Sequence, residues 1–157
     1  MMSQEQSGGR FIFVANDIMG TSATRIAETL LAKGFWAFAA AAPHLRRLAE
    51  RDQVLIYLAG PKRRYFVARA TLGSGVTGIG HAEGQVLRSL GLTFLRYQVK
   101  FRDVTKLEPP VPIEPLLSGL DFIKDKRNWG LHLRLPIVRI GEHDFVAVMG
   151  AIQRLSG

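Results

Sequence analysis

The chain has 157 residues, a length that fits one domain, and 47% of them are hydrophobic against 22% charged, as in folded globular proteins. Lysine and arginine number 21 and aspartate and glutamate 13, so the formal net charge is +8 and a polyanionic partner is favoured. The absence of cysteine excludes disulfides, thiolate metal sites and a cysteine nucleophile.

The first residues and the longest apolar run of the chain bear on the cellular location of the protein. The start, Met1–Arg10, has no apolar stretch like that of a signal peptide. The longest weakly polar run, Gly34–Pro43, is shorter than the roughly 18 residues of a membrane span. We therefore expect a cytoplasmic protein without a membrane partner, with a disordered tail over residues 1–9 and a single domain over residues 10–157.

The first half of the chain predicts strands separated by short helices. Phe11–Ala15 reads as a strand buried on both faces. Thr21 or Ser22 can cap a helix that runs to Lys33, and Gly34 suits the left-handed position that ends it. Further elements follow in chain order: a strand Phe35–Ala39, a helical turn Pro43–Leu48, a strand Val54–Leu58, a hairpin turn Ala59–Arg64 and a strand Tyr65–Leu72.

The second half predicts a long strand, a proline-rich extended segment and a final helix. Its elements are a glycine-rich loop Gly73–Gly80, a helix His81–Leu90, a strand Phe94–Val104, an extended segment Lys106–Pro115, a short helix Glu114–Leu120, a strand Leu131–Ile140 and an amphipathic helix Glu142–Leu155. Pro136 places the last strand at a sheet edge or a bulge. Short helices between many strands predict an α+β fold with a mixed, mostly antiparallel barrel.

Eight stretches of the chain carry a family resemblance. They are, in order, Phe11–Ala15 before the first helix, Gly34–Ala37 after it, Leu48–Tyr57 at the step into a central strand, Phe66–Ala70, Pro112–Leu120, Phe122–Lys124, Asn128–Gly130 and Asp144–Phe145. In this order and spacing they resemble the EVE domain, a bacterial relative of the YTH domain within the PUA-like superfamily of nucleic-acid readers. Arg51 stands where that family usually has glycine. The resemblance implies a PUA-like mixed β-barrel flanked by short helices.

The resemblance also implies a pocket for a flipped, modified base. In YTH domains, and by proposal in EVE domains, a tryptophan at the end of the strand after the first helix forms one wall of an aromatic cage, and that position is Trp36, followed by Ala37. A base outside its stack needs such a π surface. Asn16 and Asp17 follow the first strand and can hydrogen-bond a base edge. The alternatives stay open that Trp36 is a core residue and that Asn16 and Asp17 cap the turn before the helix.

A second tryptophan, Trp129, lies in the turn Asn128–Gly130. It either packs over the end of the barrel or belongs to the site, and the sequence leaves this open. The family's other cage wall usually comes from the segment after the hairpin, which here is Gly73–Gly80 and contains no aromatic residue.

Three basic clusters predict a surface that follows phosphates. Their residues are Arg46, Arg47, Lys62, Arg63, Arg64, Lys124, Lys126 and Arg127. Together with the net charge they favour DNA or RNA as the partner.

No motif in the sequence supplies catalytic machinery. The glycine-rich loop lacks the Lys-Ser/Thr of a phosphate-binding P-loop, and the four histidines lack metal-ligand spacing, so we expect no cofactor, no metal and no enzyme. The leading hypothesis is a module that recognises a modified or flipped base in DNA or RNA. One alternative, implied by the resemblance because one PUA-like branch has amidohydrolase activity, is a small hydrolase of a modified nucleoside. It would need a threonine, a lysine and a carboxylate to converge, for which Thr21 or Thr24, Lys33 and Glu28 are the candidates. The other is a protein-interaction module with a basic surface.

Overall fold

The structure is a computed structural model that describes residues 8–156, without the side chain of Ser156. Its strands are β1 Arg10–Ala15, β2 Phe35–Phe38, β3 Gln53–Leu58, β4 Tyr65–Leu72, β5 Thr77–Gly78, β6 Tyr97–Pro112 and β7 Ile137–Arg139. Its α-helices are α1 Ala23–Lys33, α2 His81–Leu90 and α3 Glu142–Ser156. Short 3₁₀-helices span Leu45–Arg47, Glu114–Gly119 and Trp129–Leu133. None of the helices within these residues is both long enough and apolar enough to cross a membrane.

The predicted tail falls outside the described residues except for Gly8 and Gly9. The N–H of Gly9 donates to Oδ1 of Asp52 at 2.8 Å, and the carbonyl of Gly9 accepts from the N–H of Gln53 at 3.0 Å. Gly9 is therefore held against the start of β3.

One curled sheet contains all seven strands. Its order is β2-β6-β4-β3-β1-β7, and β5 pairs with β6 beside this path. β1 and β3 are parallel, whereas the other pairs are antiparallel. The sheet curls because the 16-residue strand β6 pairs with β4 along one part and with β2 and β5 along another. The predicted α+β class, with a mixed barrel flanked by short helices, is confirmed.

The sheet separates two hydrophobic cores, because alternate residues of its central strands point to opposite faces. The first core contains Phe11, Phe13 and Ala15 of β1 and Val54, Ile56 and Leu58 of β3. The second contains Ile12 and Val14 of β1 and Leu55 and Tyr57 of β3. Helix α1 covers the first core, and α3 covers the second with Val148 and Ala151. The prediction that β1 is buried on both faces is confirmed.

The first helix forms as its end signals predict. The side-chain oxygen of Ser22 accepts a hydrogen bond from the N–H of Arg25 at 3.1 Å. Gly34 follows Lys33 with φ of 83°, a left-handed conformation that costs glycine little, and its N–H returns to the carbonyl of Leu30.

Two predicted strands differ from the structure. The strand expected over Leu131–Ile140 was wrong in its first part, where Trp129–Leu133 is a 3₁₀-helix, and β7 is an edge strand of three residues paired with β1. Strand β6 extends eight residues beyond the predicted end at Val104, to Pro112. Its prolines at 109 and 110 are tolerated because the pairing jumps from Lys106 to Val111, so their missing N–H groups are not needed.

Candidate functional site

A pocket of about 660 Å³ opens where the parallel strands β1 and β3 end. Because parallel strands end at the same edge of a sheet, this position brings together Asn16 after β1, Tyr57 in β3 and the loop that follows β3. The segment before β7 closes the other side. The lining residues are Asn16, Tyr57, Ala59, Gly60, Pro61, Arg64, Arg127, Asn128, Trp129, Gly130, Leu131, Leu133 and Arg134. The volume lies within the usual range for sites that bind small organic groups.

Trp129 forms the aromatic wall of this pocket. Its side chain is half-buried against the second core. The guanidinium carbon of Arg64 lies over the indole, 5.4 Å from the ring centroid, within the range of a cation–π contact.

Arg64 reaches Trp129 from an unusual backbone conformation. Its φ is 59°, in the left-handed region. The N–H of Arg64 donates to the carbonyl of Leu58 and its carbonyl accepts from the N–H of Ile113, so the backbone is fixed on both sides. Glu114 lies 3.9 Å from the guanidinium in an exposed ion pair. Non-glycine residues adopt this conformation where the surrounding structure enforces it, often at binding sites.

Two polar groups of the pocket are free to bind a ligand. Neither the carboxamide of Asn16 nor the hydroxyl of Tyr57 has a hydrogen-bond partner among residues 8–156. Tyr57 is 1% exposed, so a ligand could meet it only where it lines the pocket. The hydroxyl of Tyr57 is protonated at neutral pH, as in any tyrosine, and can donate; burial raises its pKa further. The carboxamide of Asn16 can both donate and accept.

Three arginine side chains line the pocket. Arg64 lies over the aromatic wall, and Arg127 and Arg134 are exposed residues of the lining. Within the described part of the chain, no carboxylate forms an ion pair with Arg127 or Arg134. These two guanidinium groups are therefore available to a negatively charged ligand.

A turn around Asp125 holds the segment that carries the tryptophan. The carboxylate of Asp125 accepts the N–H groups of Arg127 and Asn128 at 3.1 Å each, together with the side-chain amide of Asn128 at 3.2 Å. These hydrogen bonds, led by the N–H of Asn128, lower the pKa of Asp125. Lys126 donates to the carbonyls of Leu117 and Leu120. The backbone before Trp129 is thereby fixed from both sides.

The structure places Trp36 and Ala37 in the first core. Trp36 is 3% exposed, and its ring lies 6.1 Å from that of Phe13 and 6.5 Å from that of Phe101. Tyr57 belongs to the second core, on the other face of the sheet. Trp36 and Ala37 do not line the pocket, and Trp36 has no free ring face for a base. Of the two interpretations of Trp36, the geometry supports core packing.

The structure separates the two polar residues expected after the first strand. Asn16 lines the pocket as expected. The carboxylate of Asp17 accepts the N–H of Ala23 at 2.8 Å and binds the guanidinium of Arg63 at 2.8 Å. The N–H of Ala23 and then Arg63 hold the pKa of Asp17 below its usual value. Asp17 thus fixes the turn before α1 and joins it to the loop after β3.

The eight predicted phosphate-binding residues have different surroundings in the structure. Arg64 and Arg127 lie at the pocket, whereas Arg63 is paired with Asp17 and Lys126 donates to carbonyls. The others are exposed: Arg46, Arg47, Lys62 and Lys124.

Arg46 and Arg47 belong to the opposite end of the sheet. They precede β3, where the N–H of Arg51 donates to the carbonyl of Leu72 at the end of β4. The six residues of β3, at about 3.3 Å each, separate this region from the pocket.

Sequence reasoning missed Tyr57 and Arg134 and left Trp129 undecided. The sequence contained a signal for Tyr57. This residue places a hydroxyl near the carboxyl end of an otherwise aliphatic buried strand, Val54–Leu58. Arg134 gave no comparable signal, because the segment around it was expected to be a strand.

The four residues named for a hydrolase do not all line one groove. The hydroxyl of Thr21 donates to the carbonyl of Leu90 at 2.8 Å. Thr24 and Glu28 line a groove between α1 and the sheet, and Lys33 is not among the residues that line it.

Among residues 8–156, one cluster of side chains could hold a metal ion. Asp121, His143 and Asp144 each offer a ligand atom, and these atoms lie within 4.8 Å of one another. The two carboxylate oxygens of Asp144 accept the N–H groups of Asp121 and Phe122 at 2.6 and 2.8 Å. These bonds give Asp144 a role in joining α3 to the preceding segment.

Comparison with known proteins shows relatives and a shared fold. No family model matches the chain. The UPF0310 protein of Mycolicibacterium gilvum (strain PYR-GCK) is 32% identical over 112 residues, which cover 70% of this chain and 76% of the relative.

Two solved structures have the same fold. Human THYN1, in complex with 5-methylcytosine containing DNA, superimposes with a TM-score of 0.61 at 11% identity and covers 92% of this chain and 98% of its own. The N-terminal domain of Thermococcus gammatolerans McrB, bound to m5C DNA, has a TM-score of 0.58 at 13% identity and covers 95% and 99%.

Proposed function

The chain belongs to the UPF0310 protein family, and from this premise we propose that it binds DNA and holds a modified cytosine, flipped out of the base stack, in the pocket beside Trp129. The observation that carries the proposal is the combination within one pocket of an aromatic wall, two unpartnered polar groups and unpaired arginines. The ligands of THYN1 and of the McrB domain, two proteins of the same fold, support a methylated cytosine in DNA.

Trp129 would supply the stacking surface. A base that leaves the duplex loses its neighbours, and an aromatic side chain restores about 1–3 kcal/mol per base. Pro61 and Leu131 line the same pocket and offer apolar surface to a methyl group. Arg64 lies over the indole and would fix the position of the wall. The aromatic and apolar side chains within this otherwise polar pocket would favour a methylated base over an unmodified one.

Asn16 and Tyr57 would read the edge of the base. Cytosine presents an amine donor beside two acceptors, the ring nitrogen and the carbonyl. The Asn16 carboxamide has both an acceptor and a donor, and the Tyr57 hydroxyl is protonated at neutral pH and can donate. Because neither side chain has a partner within residues 8–156, contact with a base edge would break no internal hydrogen bond.

Arg127 and Arg134 would contact the phosphates beside the flipped nucleotide. Both are exposed and free of carboxylate partners in the described part of the chain. Guanidinium groups bind phosphate oxygens well, in a bidentate manner. These contacts would supply affinity without sequence preference.

The proposal is tested with Trp129→Ala and two DNA duplexes of one sequence, with and without a single 5-methylcytosine. We expect the unsubstituted protein to prefer the methylated duplex, and Trp129→Ala to weaken that binding by about 1–3 kcal/mol, roughly five- to 150-fold. Trp129→Phe keeps a π surface and serves as the matched control, so it retains most of the affinity. Equal affinity for both duplexes, or unchanged binding by Trp129→Ala, would refute the proposed pocket.

A further inference from the structure

A tight turn next to the pocket carries an exposed apolar side chain. Ile18 and Thr21 exchange two backbone hydrogen bonds, of 2.9 and 2.8 Å, and enclose a two-residue turn. Met19 and Gly20 occupy this turn with φ of 47° and 85°. Both values are positive, as in the type I′ turns that connect tight hairpins. The turn therefore presents Met19 at its tip.

Met19 is an unusual residue for this position. Turns with positive φ favour glycine, asparagine and aspartate, because a longer side chain strains the backbone there. Met19 is also 76% exposed, so packing within the molecule does not compensate for that strain. A single exposed apolar residue is ordinary, but one held at a strained, rigid tip is not accounted for by the fold.

The turn is fixed beside the pocket. Met19 follows Asn16 by three residues, which span at most about 11 Å of chain. Between them, Asp17 joins the turn to Arg63, in the loop whose neighbouring residues line the pocket. On the other side, the hydroxyl of Thr21 donates to the carbonyl of Leu90. The tip is thus held in place relative to the pocket on both sides.

We propose that Met19 is a wedge that enters the base stack of a duplex and fills the space left by the flipped nucleotide. The inference rests on the proposed function, since a wedge is needed only where a base leaves its stack. Flipping costs the stacking and pairing of one base, and apolar side chains such as methionine offset such a cost by inserting between base steps. The flexible, polarisable thioether of methionine suits contact with aromatic base faces.

The wedge acts on duplex DNA and not on a single strand, and this difference provides the test. Met19→Gly removes the side chain and keeps the turn, because glycine adopts positive φ freely. The probes are a duplex with one central 5-methylcytosine and its methylated strand alone. We expect Met19→Gly to weaken duplex binding about tenfold, as for the loss of one inserted side chain, and to leave single-strand binding unchanged. Leu155→Ala, at an exposed leucine of α3, is the control and alters neither affinity.

The outcomes separate the wedge from the pocket. If Met19→Gly binds the duplex as well as the unsubstituted protein, or loses single-strand affinity to the same extent, the wedge is refuted and the pocket stands. If the unsubstituted protein binds neither probe, the proposed function fails and the wedge fails with it. Met19→Leu restores a large apolar side chain, and its recovery of duplex affinity would support the wedge.

Discussion

The two tryptophans of the chain lie in different cores and have different neighbours. Trp36 is surrounded by aromatic side chains of the first core, whereas Trp129 is half-buried at the edge of the second and faces a pocket. The sheet runs between them, and a strand residue cannot serve both faces because its side chain points to one. The environment of each side chain therefore shows which tryptophan packs within a core and which lines the pocket.

Removing the Trp36 side chain should destabilise the fold. Because Trp36 is almost fully buried, Trp36→Ala leaves a cavity between Phe13 and Phe101, and we expect the free energy of unfolding to fall by about 3–5 kcal/mol. Urea denaturation monitored by circular dichroism measures this loss. Trp129→Ala serves as the comparison and should cost less, since its ring is partly exposed. A loss below about 1 kcal/mol for Trp36→Ala would contradict its placement in the core.

Sequence reasoning recovered part of the candidate site and missed the rest for one reason. Asn16, Arg64 and Arg127 were identified because their type and their position after predicted elements carry chemical meaning. Tyr57 and Trp129 required knowledge of which face of the sheet each side chain reaches. A family resemblance directed attention to Trp36, whose neighbourhood depends on how β2 pairs with β6. Strand pairing between residues far apart in the sequence cannot be predicted from the local sequence pattern.

Helix α3 holds the pocket segment through Asp144 in its first turn. Asp144 is 2% exposed, and its carboxylate accepts the N–H groups of Asp121 and Phe122. Lys126, a few residues on, donates to the carbonyls of Leu117 and Leu120. These bonds fix the chain that leads to Trp129, so the geometry of the pocket depends on an element that does not line it.

Replacing Asp144 should weaken this connection. Asp144→Asn turns one acceptor into a donor that faces a backbone N–H, and hydrogen bonds to a charged group contribute about 1.5–3 kcal/mol, so we expect a loss of this size in the free energy of unfolding. Hydrogen exchange should become faster at the N–H groups of Asp121 and Phe122. Asp121→Asn is the matched control because that carboxylate is 71% exposed, and it should change stability little. Equal losses in both variants would contradict the anchoring role of Asp144.

Elements whose ends carry local sequence signals were predicted correctly. Elements whose extent depends on strand pairing were not. Helix α1 has a serine cap and a glycine end, and β3 is a short aliphatic run, so both were expected within one residue of their observed bounds. The 3₁₀-helix Trp129–Leu133 and the long strand β6 were not predicted correctly. β6 extends past its prolines because β4 resumes pairing beyond them, a tertiary effect that outweighs local propensity.

Only some of the positively charged side chains are free to bind a negatively charged partner. Arg63, Lys100 and Arg102 are paired with carboxylates, and Arg64 is paired more loosely with Glu114. Arg127 and Arg134 at the pocket and Arg46 and Arg47 at the other end of the sheet have no such partner among residues 8–156. A net charge of +8 would attract a polyanion to the whole surface, whereas the proposed site predicts that phosphates lie at one end.

Salt titration of DNA binding distinguishes these two ends. Each phosphate contact releases counterions, so the logarithm of the association constant falls linearly with the logarithm of salt concentration, and loss of one contact reduces the slope by about one. We expect Arg127→Ala and Arg134→Ala each to reduce the slope in this way, measured by fluorescence anisotropy with the methylated duplex. Arg46→Ala and Arg47→Ala remove the same charge at the far end and should leave the slope nearly unchanged. If all four variants reduce the slope equally, the duplex contacts the whole basic surface and the pocket does not fix its position.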